Sequence, residues 1–173
     1  HQTERDRFQQ YKLKSQLNPH FIFNSMNTIR ALVNESPDNA KKAITQLSNI
    51  LRSNLLLGKQ KLINFEEEMK LVQDYLSIES YRYEERLQLK FEIDPDSKHY
   101  LVPPLMIQTL VENGIKHGIS KIPQGGTLTL RTNVNGHTLE IEIENTGQFD
   151  ASAKPETGFG LSSTKERLKL LYG

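Results

Sequence analysis

The segment that decides the fold lies at residues 103–118 and reads PPLMIQTLVENGIKHG. Its two opening prolines and its closing glycine predict a helix from about Leu105 to His117. Three polar residues share one face of that helix because their spacing is i, i+3 and i+4: Asn113, Lys116 and His117. An amide, an ammonium and an imidazole on one face suit a phosphate or a metal-bound phosphate.

The same helix face has a simpler explanation. Glu112 is the i, i+4 neighbour of Lys116, so these two side chains would form an ordinary salt bridge on a solvated surface. Spacing alone favours the salt bridge. The phosphate hypothesis therefore depends on what the rest of the chain carries.

A hairpin is predicted directly after this helix. A strand at residues 127–134 is followed by Asn135-Gly136, the strongest short hairpin-turn signal, and by a returning strand at residues 137–144. Because side chains alternate along a strand, one face carries a single row: Leu139, Ile141, Ile143 and Asn145.

Asn145 ends that row with a polar group, which needs a partner if it is buried. Its side-chain amide would hydrogen-bond the edge of a base, and Gly147 would allow close backbone approach. The alternative is a plain Asn-x-Gly turn at the end of a strand.

The last part of the chain contains a pair of glycines. A polar stretch at residues 148–157 leads to Gly158-Phe159-Gly160, after which we expect a final helix. Its apolar residues are Leu161, Leu168 and Leu171, and Ser163 and Glu166 have the spacing of a capping box. Free N–H groups at such a helix start favour phosphate, although neither a P-loop nor a Rossmann fingerprint is present. The alternative is a flexible loop entering a capped helix.

The amino-terminal part predicts a helical hairpin. One long helix runs from Arg5 to Val33 with a kink just before His20, because Pro19 removes a backbone hydrogen bond. Ser36-Pro37 opens a second helix, which ends at Gly58. The apolar stripes are Ile22, Met26, Ile29 and Val33, then Ala40, Ile44, Leu47, Leu51 and Leu55. This hairpin cannot bury both faces alone, so we expect a homodimer in which two hairpins form a four-helix bundle.

A third helix and a strand lie between the hairpin and residue 103. Asn64 is expected to cap the helix, whose first turn carries the acids that a helix dipole favours: Glu66, Glu67 and Glu68. Alternating apolar residues predict a strand from Leu87 to Ile93. The fold class is therefore α+β, with a helical hairpin at residues 1–60 and a layered α/β sandwich at residues 61–173.

His20 is flanked by apolar and amide residues in the segment 16–27, QLNPHFIFNSMN. A helical histidine is more often packed or solvated than catalytic. Here, however, His20 lies opposite the stripe of Ile22 and beside the proline, and Asn24 lies one turn further along its face. Metal binding is a poor alternative, because no second His or carboxylate stands at i+3 or i+4.

Composition excludes several classes of function. The 173 residues contain 22 Lys and Arg against 21 Asp and Glu, a net charge of +1 that provides no broad basic field for nucleic acid. The absence of cysteine excludes disulfides and Cys-ligated zinc. No apolar run approaches the ~18 residues of a membrane span. The charged helical start at residues 2–14 is typical of a helix continuing from upstream, so we expect a cytoplasmic fragment of a membrane receptor, with the membrane-spanning segments outside this chain.

These blocks occur together and in order, and the chain resembles the cytoplasmic kinase core of the LytS-like sensor histidine kinases of bacterial two-component systems. They are QLNPHFIFNSMN, LRSNL, YLSIESYRYEERL, PPLMIQTLVENGIKHG, IENTG and GFGLSSTKERLKLLYG. The resemblance implies a dimerising hairpin that bears a phosphoacceptor histidine, followed by a Bergerat-type (GHKL) ATP-binding sandwich. It also implies ATP and Mg²⁺ as cofactors and the receiver domain of a response regulator as a partner.

The resemblance also implies roles for single residues. His20 corresponds to the phosphoacceptor, Glu112 is a candidate base, and Asn24 would orient a water or the acceptor aspartate. Asn113 would be the magnesium ligand. The other implied nucleotide-binding residues are Lys116 and His117 for phosphates, Asn145 and Gly147 for adenine, and Gly158, Gly160 and Leu161 beside the triphosphate. Residues 148–157 would form the lid over ATP.

Three positions depart from the family pattern. Asn145 stands where the adenine-reading block normally has Asp, Phe149 replaces a glycine, and Ser163 replaces an asparagine. Asn145 leaves open a non-catalytic signalling dimer that binds nucleotide weakly. A further alternative is a gyrase-type ATPase without phosphorelay, in which His20 would have no role.

Overall fold

The computed structural model describes Glu4, residues 19–147 and residues 163–171. The chain divides into two compact units. One consists of His1–Glu84 with Leu101–Thr109, and the other of Glu85–Tyr100 with Leu110–Gly173. The division into functional domains at residue 60 stays a prediction.

Three helices dominate the first unit. Helix α1 spans Pro19–Glu35, α2 spans Pro37–Leu57 and α3 spans Phe65–Tyr83. Only Ser36 separates α1 from α2, so the predicted helical hairpin is confirmed, with Pro37 in the first turn of α2 as its fixed φ favours. The part of the long helix predicted before Pro19, including the kink, lies outside the described residues.

The core of this unit forms around α3. The apolar stripe of α3 is buried: Phe65, Met69, Val72, Leu76 and Tyr83. The ring of Phe21 on α1 packs against Tyr75, with 4.8 Å between ring centroids and 44° between planes. This tilted aromatic contact anchors the start of α1 on α3.

The hairpin buries a different face of α1 from the predicted stripe. Phe21 and Ser25 are buried, whereas Met26 and Val33 are 57% and 52% exposed. In α2, Ala40 and Leu47 are buried as predicted, but two other stripe residues, Ile44 and Leu55, are exposed. A helical wheel identifies apolar faces without telling which of them the chain itself covers.

The predicted caps of α2 and α3 occupy the expected positions but make no capping bond. Ser36 and Asn64 are the N-cap residues, and neither side chain accepts a hydrogen bond from its helix. Pro37 removes one of the unsatisfied N–H donors at the start of α2. The two helices are therefore held by packing rather than by these side chains.

The second unit is built on a four-stranded sheet in the order β2-β4-β5-β6. The strands in chain order are β1 (Ile63–Asn64), β2 (Leu87–Glu92), β3 (Leu101–Val102), β4 (Gly126–Asn135), β5 (Thr138–Gly147) and β6 (Ser163–Leu171). Within the sheet β2 and β4 are parallel, and the other neighbours are antiparallel. Strands β1 and β3 form a separate antiparallel pair that belongs to the first unit.

The hairpin of β4 and β5 is confirmed, but its turn lies one residue later than predicted: Asn135 still pairs with Thr138, and the two loop residues are Gly136 and His137. Gly136 has φ of 63°, the left-handed conformation that such a tight turn requires and that glycine adopts without cost. The predicted row is buried along its whole length: Leu139, Ile141, Ile143 and Asn145. The strongest local signals of the sequence thus placed this hairpin to within one residue.

Helix α4 spans Met106–His117 and confirms the helix predicted between the two prolines and the glycine. Its residues up to Thr109 belong to the first unit, and those from Leu110 onward belong to the second. The α+β fold class, with a helical hairpin before the sheet, is therefore confirmed. No helix among the described residues is both long and apolar enough to cross a membrane.

The predicted final helix is wrong, because Ser163–Leu171 form strand β6. The register pairs Lys165, Arg167 and Lys169 with Glu144, Glu142 and Glu140 of β5. Strand β6 thereby pairs with the edge of β5 that would otherwise be unpaired. Ser163 and Glu166 consequently form no capping box.

Candidate functional site

The carboxy-terminal half of α4 presents the predicted polar face. Asn113 and Glu112 are half-buried, whereas Lys116 and His117 are exposed in the last turn. The Ser120 hydroxyl donates to the Lys116 carbonyl at 2.6 Å, which satisfies one of the carbonyls left unpaired at a helix end. The helix thus holds an amide and two basic groups at an accessible end.

Asn145 lies against this end of α4. Its side chain is buried, and its amide occupies the space beside Gly114 of the helix and Gly118, which follows the helix. A Cβ added at Gly114 would lie 3.0 Å from Asn145 Oδ1, and one added at Gly118 would overlap Asn145 Nδ2. The structure therefore brings Asn145 beside the helix that carries Asn113 and His117.

Gly114 and Gly118 are site residues that sequence reasoning missed. They stand four residues apart, Gly114 within α4 and Gly118 directly after its last residue, and both lie beside the Asn145 amide. A Cβ at Gly114 would also lie 3.1 Å from Leu128 Cδ1 on β4, so the helix packs closely on the sheet at this point. The i, i+4 glycine spacing was the available signal.

His20 lies in the first turn of α1 and is exposed. The next residue, Phe21, is buried against Tyr75, so the helix turn that bears His20 is fixed by packing on α3. Asn24 is half-buried one turn further on, and its carbonyl accepts a hydrogen bond from Thr28 Oγ1 at 2.8 Å. His20 and Asn24 belong to the first unit, whereas Asn113 and Asn145 belong to the second.

Several predicted site residues have no described surroundings. Gly147 ends β5 opposite Gly126 in the register. The other members of the predicted nucleotide site, Gly158, Gly160 and Leu161, lie outside the described residues, as does the predicted lid at 148–157.

Glu68 was predicted to interact favourably with the dipole of its own helix. In the structure its carboxylate contacts a different helix. Its side chain is buried, and its carboxylate accepts three backbone N–H groups at the start of α4, from Leu105, Ile107 and Gln108, at 2.8, 2.9 and 3.1 Å. Burial raises the pKa of Glu68 to about 7, and the three backbone hydrogen bonds oppose that shift. The sequence signal was its position between Phe65 and Val72 on the buried stripe.

The donor set around α4 fits Mg²⁺ bound together with a nucleotide. Among the described residues, no group of three or more His, Cys, Asp or Glu side chains is arranged to hold a metal ion by itself. Mg²⁺ commonly takes one or two protein oxygens and completes its shell with phosphates and water. A single amide oxygen from Asn113 is compatible with that mode, and the exposed Lys116 and His117 suit phosphate.

Comparison with known proteins gives a consistent family. Residues 8–87 match the model of the histidine kinase family. Sensor protein LytS of Staphylococcus haemolyticus is 37% identical over 174 residues, covering 93% of this chain and 30% of the relative. Sensor histidine kinase YpdA of Escherichia coli is 34% identical over 170 residues, again covering 93% of this chain and 30% of the relative.

Among solved structures, histidine kinase ThkA in complex with response regulator protein TrrA matches with a TM-score of 0.40 and 15% identity. The match covers 82% of this chain and 47% of that one.

The sequence matches therefore define a protein of the histidine kinase class. More narrowly, the chain belongs by sequence to the LytS-like sensor histidine kinases, which confirms the resemblance seen in its six blocks. It spans about 30% of the length of the curated relatives that it matches.

Proposed function

We propose that this chain is a kinase core that transfers the γ-phosphoryl group of ATP to His20 and then to an aspartate of a response regulator. The observation that carries the proposal is the placement of Asn145 against the end of α4 that bears Asn113, Lys116 and His117. The sequence similarity to LytS over 93% of this chain supports the roles that the resemblance implies for these residues.

The nucleotide would be held by residues of the second unit. Asn113 would contribute its amide oxygen to Mg²⁺, while Lys116 and His117 would neutralise phosphate charge. Asn145 would read the adenine edge, with Gly147, Gly158, Gly160 and Leu161 around the rest of the nucleotide. Bound MgATP supplies the phosphoryl group and the charge neutralisation that its transfer requires.

His20 would act as the nucleophile. A bond forms between an imidazole nitrogen and the γ-phosphorus, and the bond from that phosphorus to the β-phosphate oxygen breaks, so that ADP leaves. The proton of the attacking imidazole passes to a base, for which Glu112 is the candidate. In the second transfer Asn24 would orient the acceptor aspartate or a water.

A homodimer through the hairpin is supported by the exposed apolar side chains of α1 and α2. They are Phe23, Met26 and Val33 on α1, and Ile44, Leu55 and Leu56 on α2. Exposed apolar surface of this extent is typical of an interaction site. A second hairpin would cover it in a four-helix bundle.

We further propose a cytoplasmic location and a receptor context. The relatives are about three times longer than this chain and are named as sensor proteins, so the sensing segments would lie outside these residues. The response regulator is the partner that a phosphorylated histidine of this class requires.

A second candidate function is a signalling dimer that binds nucleotide without transferring phosphate. The observation that favours it is Asn145, whose uncharged amide stands at the position where the family has a carboxylate. A carboxylate forms stronger, charge-assisted hydrogen bonds to an exocyclic amine than an amide does. Weak nucleotide binding would follow.

The experiment that tests these functions is incubation with Mg²⁺ and γ-labelled ATP, followed by separation of protein-bound label from inorganic phosphate. The kinase predicts acid-labile, base-stable label on the protein, and Asn113→Asp should abolish it. Asn133→Asp is the matched control, because Asn133 is an exposed asparagine of β4 outside the proposed site. Release of inorganic phosphate without protein label would favour the gyrase-type ATPase, and neither product would favour the non-catalytic dimer.

A further inference from the structure

The start of α4 is held by a buried carboxylate from another helix. Glu68 of α3 has no exposed surface. Its Oε1 accepts from the Leu105 N–H, and its Oε2 accepts from the N–H groups of Ile107 and Gln108. The first four N–H groups of a helix lack partners within the helix, and Glu68 supplies partners for the donors at this end.

Leu105 shows that this helix entry has a specific shape. Its φ of 67° lies in the left-handed region, which is unfavourable for a residue with a side chain. Such a conformation persists where surrounding contacts determine it. The 2.8 Å bond from the Leu105 N–H to Glu68 is one of those contacts.

A buried carboxylate is costly unless hydrogen bonds compensate it. The bonds to Glu68 come from three backbone N–H groups, which cannot move away without changing the helix entry. Breaking this contact therefore either returns the charge to water or shifts the first turn of α4. Both outcomes displace the helix start relative to α3.

Helix α4 carries this constraint toward the proposed nucleotide site. Its residues up to Thr109 belong to the first unit, and Asn113 follows in the second. A helix rises 1.5 Å per residue, so Asn113 stands about 7.5 Å along the axis from Gln108. Because a helix of this length is stiff, a shift or rotation of its first turn moves Asn113.

We propose that Glu68 is a positioning residue for nucleotide binding, which fixes the entry of α4 and thereby the placement of Asn113. This inference rests on the proposed function. It assigns Glu68 no contact with nucleotide or with His20. Its raised pKa is consistent with a carboxylate that is held in place rather than solvated.

The sharpest variant is Glu68→Gln, which keeps the size of the side chain but turns an NH₂ group toward backbone N–H donors. The matched control is Glu66→Gln, which removes the same charge from an exposed residue of the same helix turn. Affinity for a non-hydrolysable ATP analogue with Mg²⁺ is measured by calorimetry. The rate of protein labelling is measured as a function of ATP concentration.

We expect Glu68→Gln to weaken analogue binding about tenfold and to raise the KM for ATP similarly, with the maximal labelling rate within about threefold of wild type. Glu66→Gln should match wild type. Unchanged affinity in a folded Glu68→Gln protein would overturn the inference, as would an equal loss in both variants. If wild type itself failed to bind the analogue, the proposed function would fall together with the inference.

A second measurement needs no variant. If the Glu68 contact raises nucleotide affinity, the nucleotide must stabilise that contact by the same factor. Amide hydrogen exchange at Leu105, Ile107 and Gln108 should therefore slow when the analogue and Mg²⁺ are added to wild type. Analogue binding without slower exchange at these three amides would contradict the role of Glu68.

Discussion

Two isoleucines illustrate how the two units differ in the burial of their apolar side chains. Ile141 on β5 is 1% exposed, whereas Ile44 on α2 is 50% exposed. The sheet unit buries a complete row of side chains on β5, but the hairpin leaves an apolar surface on both of its helices. The sheet therefore has its core within one chain, while the hairpin leaves an apolar surface that the proposed partner hairpin would cover.

The largest effect on stability should come from truncating Ile141, the buried isoleucine. Ile141→Ala should lower the free energy of unfolding by about 3 kcal/mol, because it removes buried apolar volume and leaves a cavity. Ile44→Ala deletes the same atoms from an exposed site and should change it by less than about 1 kcal/mol. Urea unfolding of both variants, at concentrations where the chain is monomeric, would measure the difference. Equal losses would mean that the two surfaces are equally buried in solution.

The Glu68 contact should make stability depend on pH. Its pKa is raised from 4.5 to about 7 in the folded chain. Between these two values the folded state binds a proton that the unfolded state has lost. The contribution of this proton to the free energy of unfolding is fully present below about pH 4.5 and disappears as the pH rises through about 7. At 1.36 kcal/mol per unit of pKa, this amounts to roughly 3 kcal/mol.

Glu68→Gln removes that titration. The difference in unfolding free energy between wild type and Glu68→Gln should accordingly shift in favour of the variant between pH 5 and pH 8. Glu66→Gln is again the control and should run parallel to wild type. Parallel curves for all three proteins would show that Glu68 keeps an ordinary pKa in the folded chain.

A somewhat smaller effect should follow from filling the space beside Asn145. Gly118→Ala places a methyl group against the Asn145 amide and the carbonyl of Gly114. Overpacking of this kind costs about 2 kcal/mol, and the displaced amide should weaken binding of the ATP analogue as well. Thermal unfolding and calorimetry would test both effects. Gly114→Ala, with its nearest contacts at 3.0 Å and 3.1 Å, should do less.

The smallest effect on monomer stability should come from Leu55→Gln, which should nevertheless clearly weaken the proposed dimer. Leu55 is 72% exposed, so Leu55→Gln should change the free energy of unfolding of the monomer by less than about 0.5 kcal/mol. The same variant should raise the dimer dissociation constant about tenfold, since it places an amide in an apolar interface. Sedimentation equilibrium would measure this. A wild-type chain that remains monomeric at high concentration would contradict the dimer itself.

Local signals in the sequence were sufficient where one short segment determines its own structure. The Asn135-Gly136 signal locates the hairpin turn to within one residue, and the prolines at 103 and 104 with Gly118 delimit α4. Helical spacing alone places Asn113, Lys116 and His117 on one face. The sequence could not show that Asn145 lies against Gly118, because that contact joins residues far apart in the chain.

Prediction failed where two local patterns compete. Residues 163–171 have the spacing of a capping box and also alternate in a way that suits a strand. Backbone pairing with the edge of β5 decides in favour of the strand. Glu68 is a similar case, since an acid in a first helix turn suits the dipole, and only tertiary structure reveals that it binds a second helix.

The central claim is that His20 receives the γ-phosphoryl group. Its most direct test is peptide mapping by mass spectrometry, under alkaline conditions, after incubation with MgATP. The account predicts one phosphoryl group on the peptide that contains His20, lost in His20→Gln and retained in His137→Gln, whose histidine is exposed in the β4–β5 turn. A phosphoryl group on another residue, or persistence of the modification in His20→Gln, would contradict it.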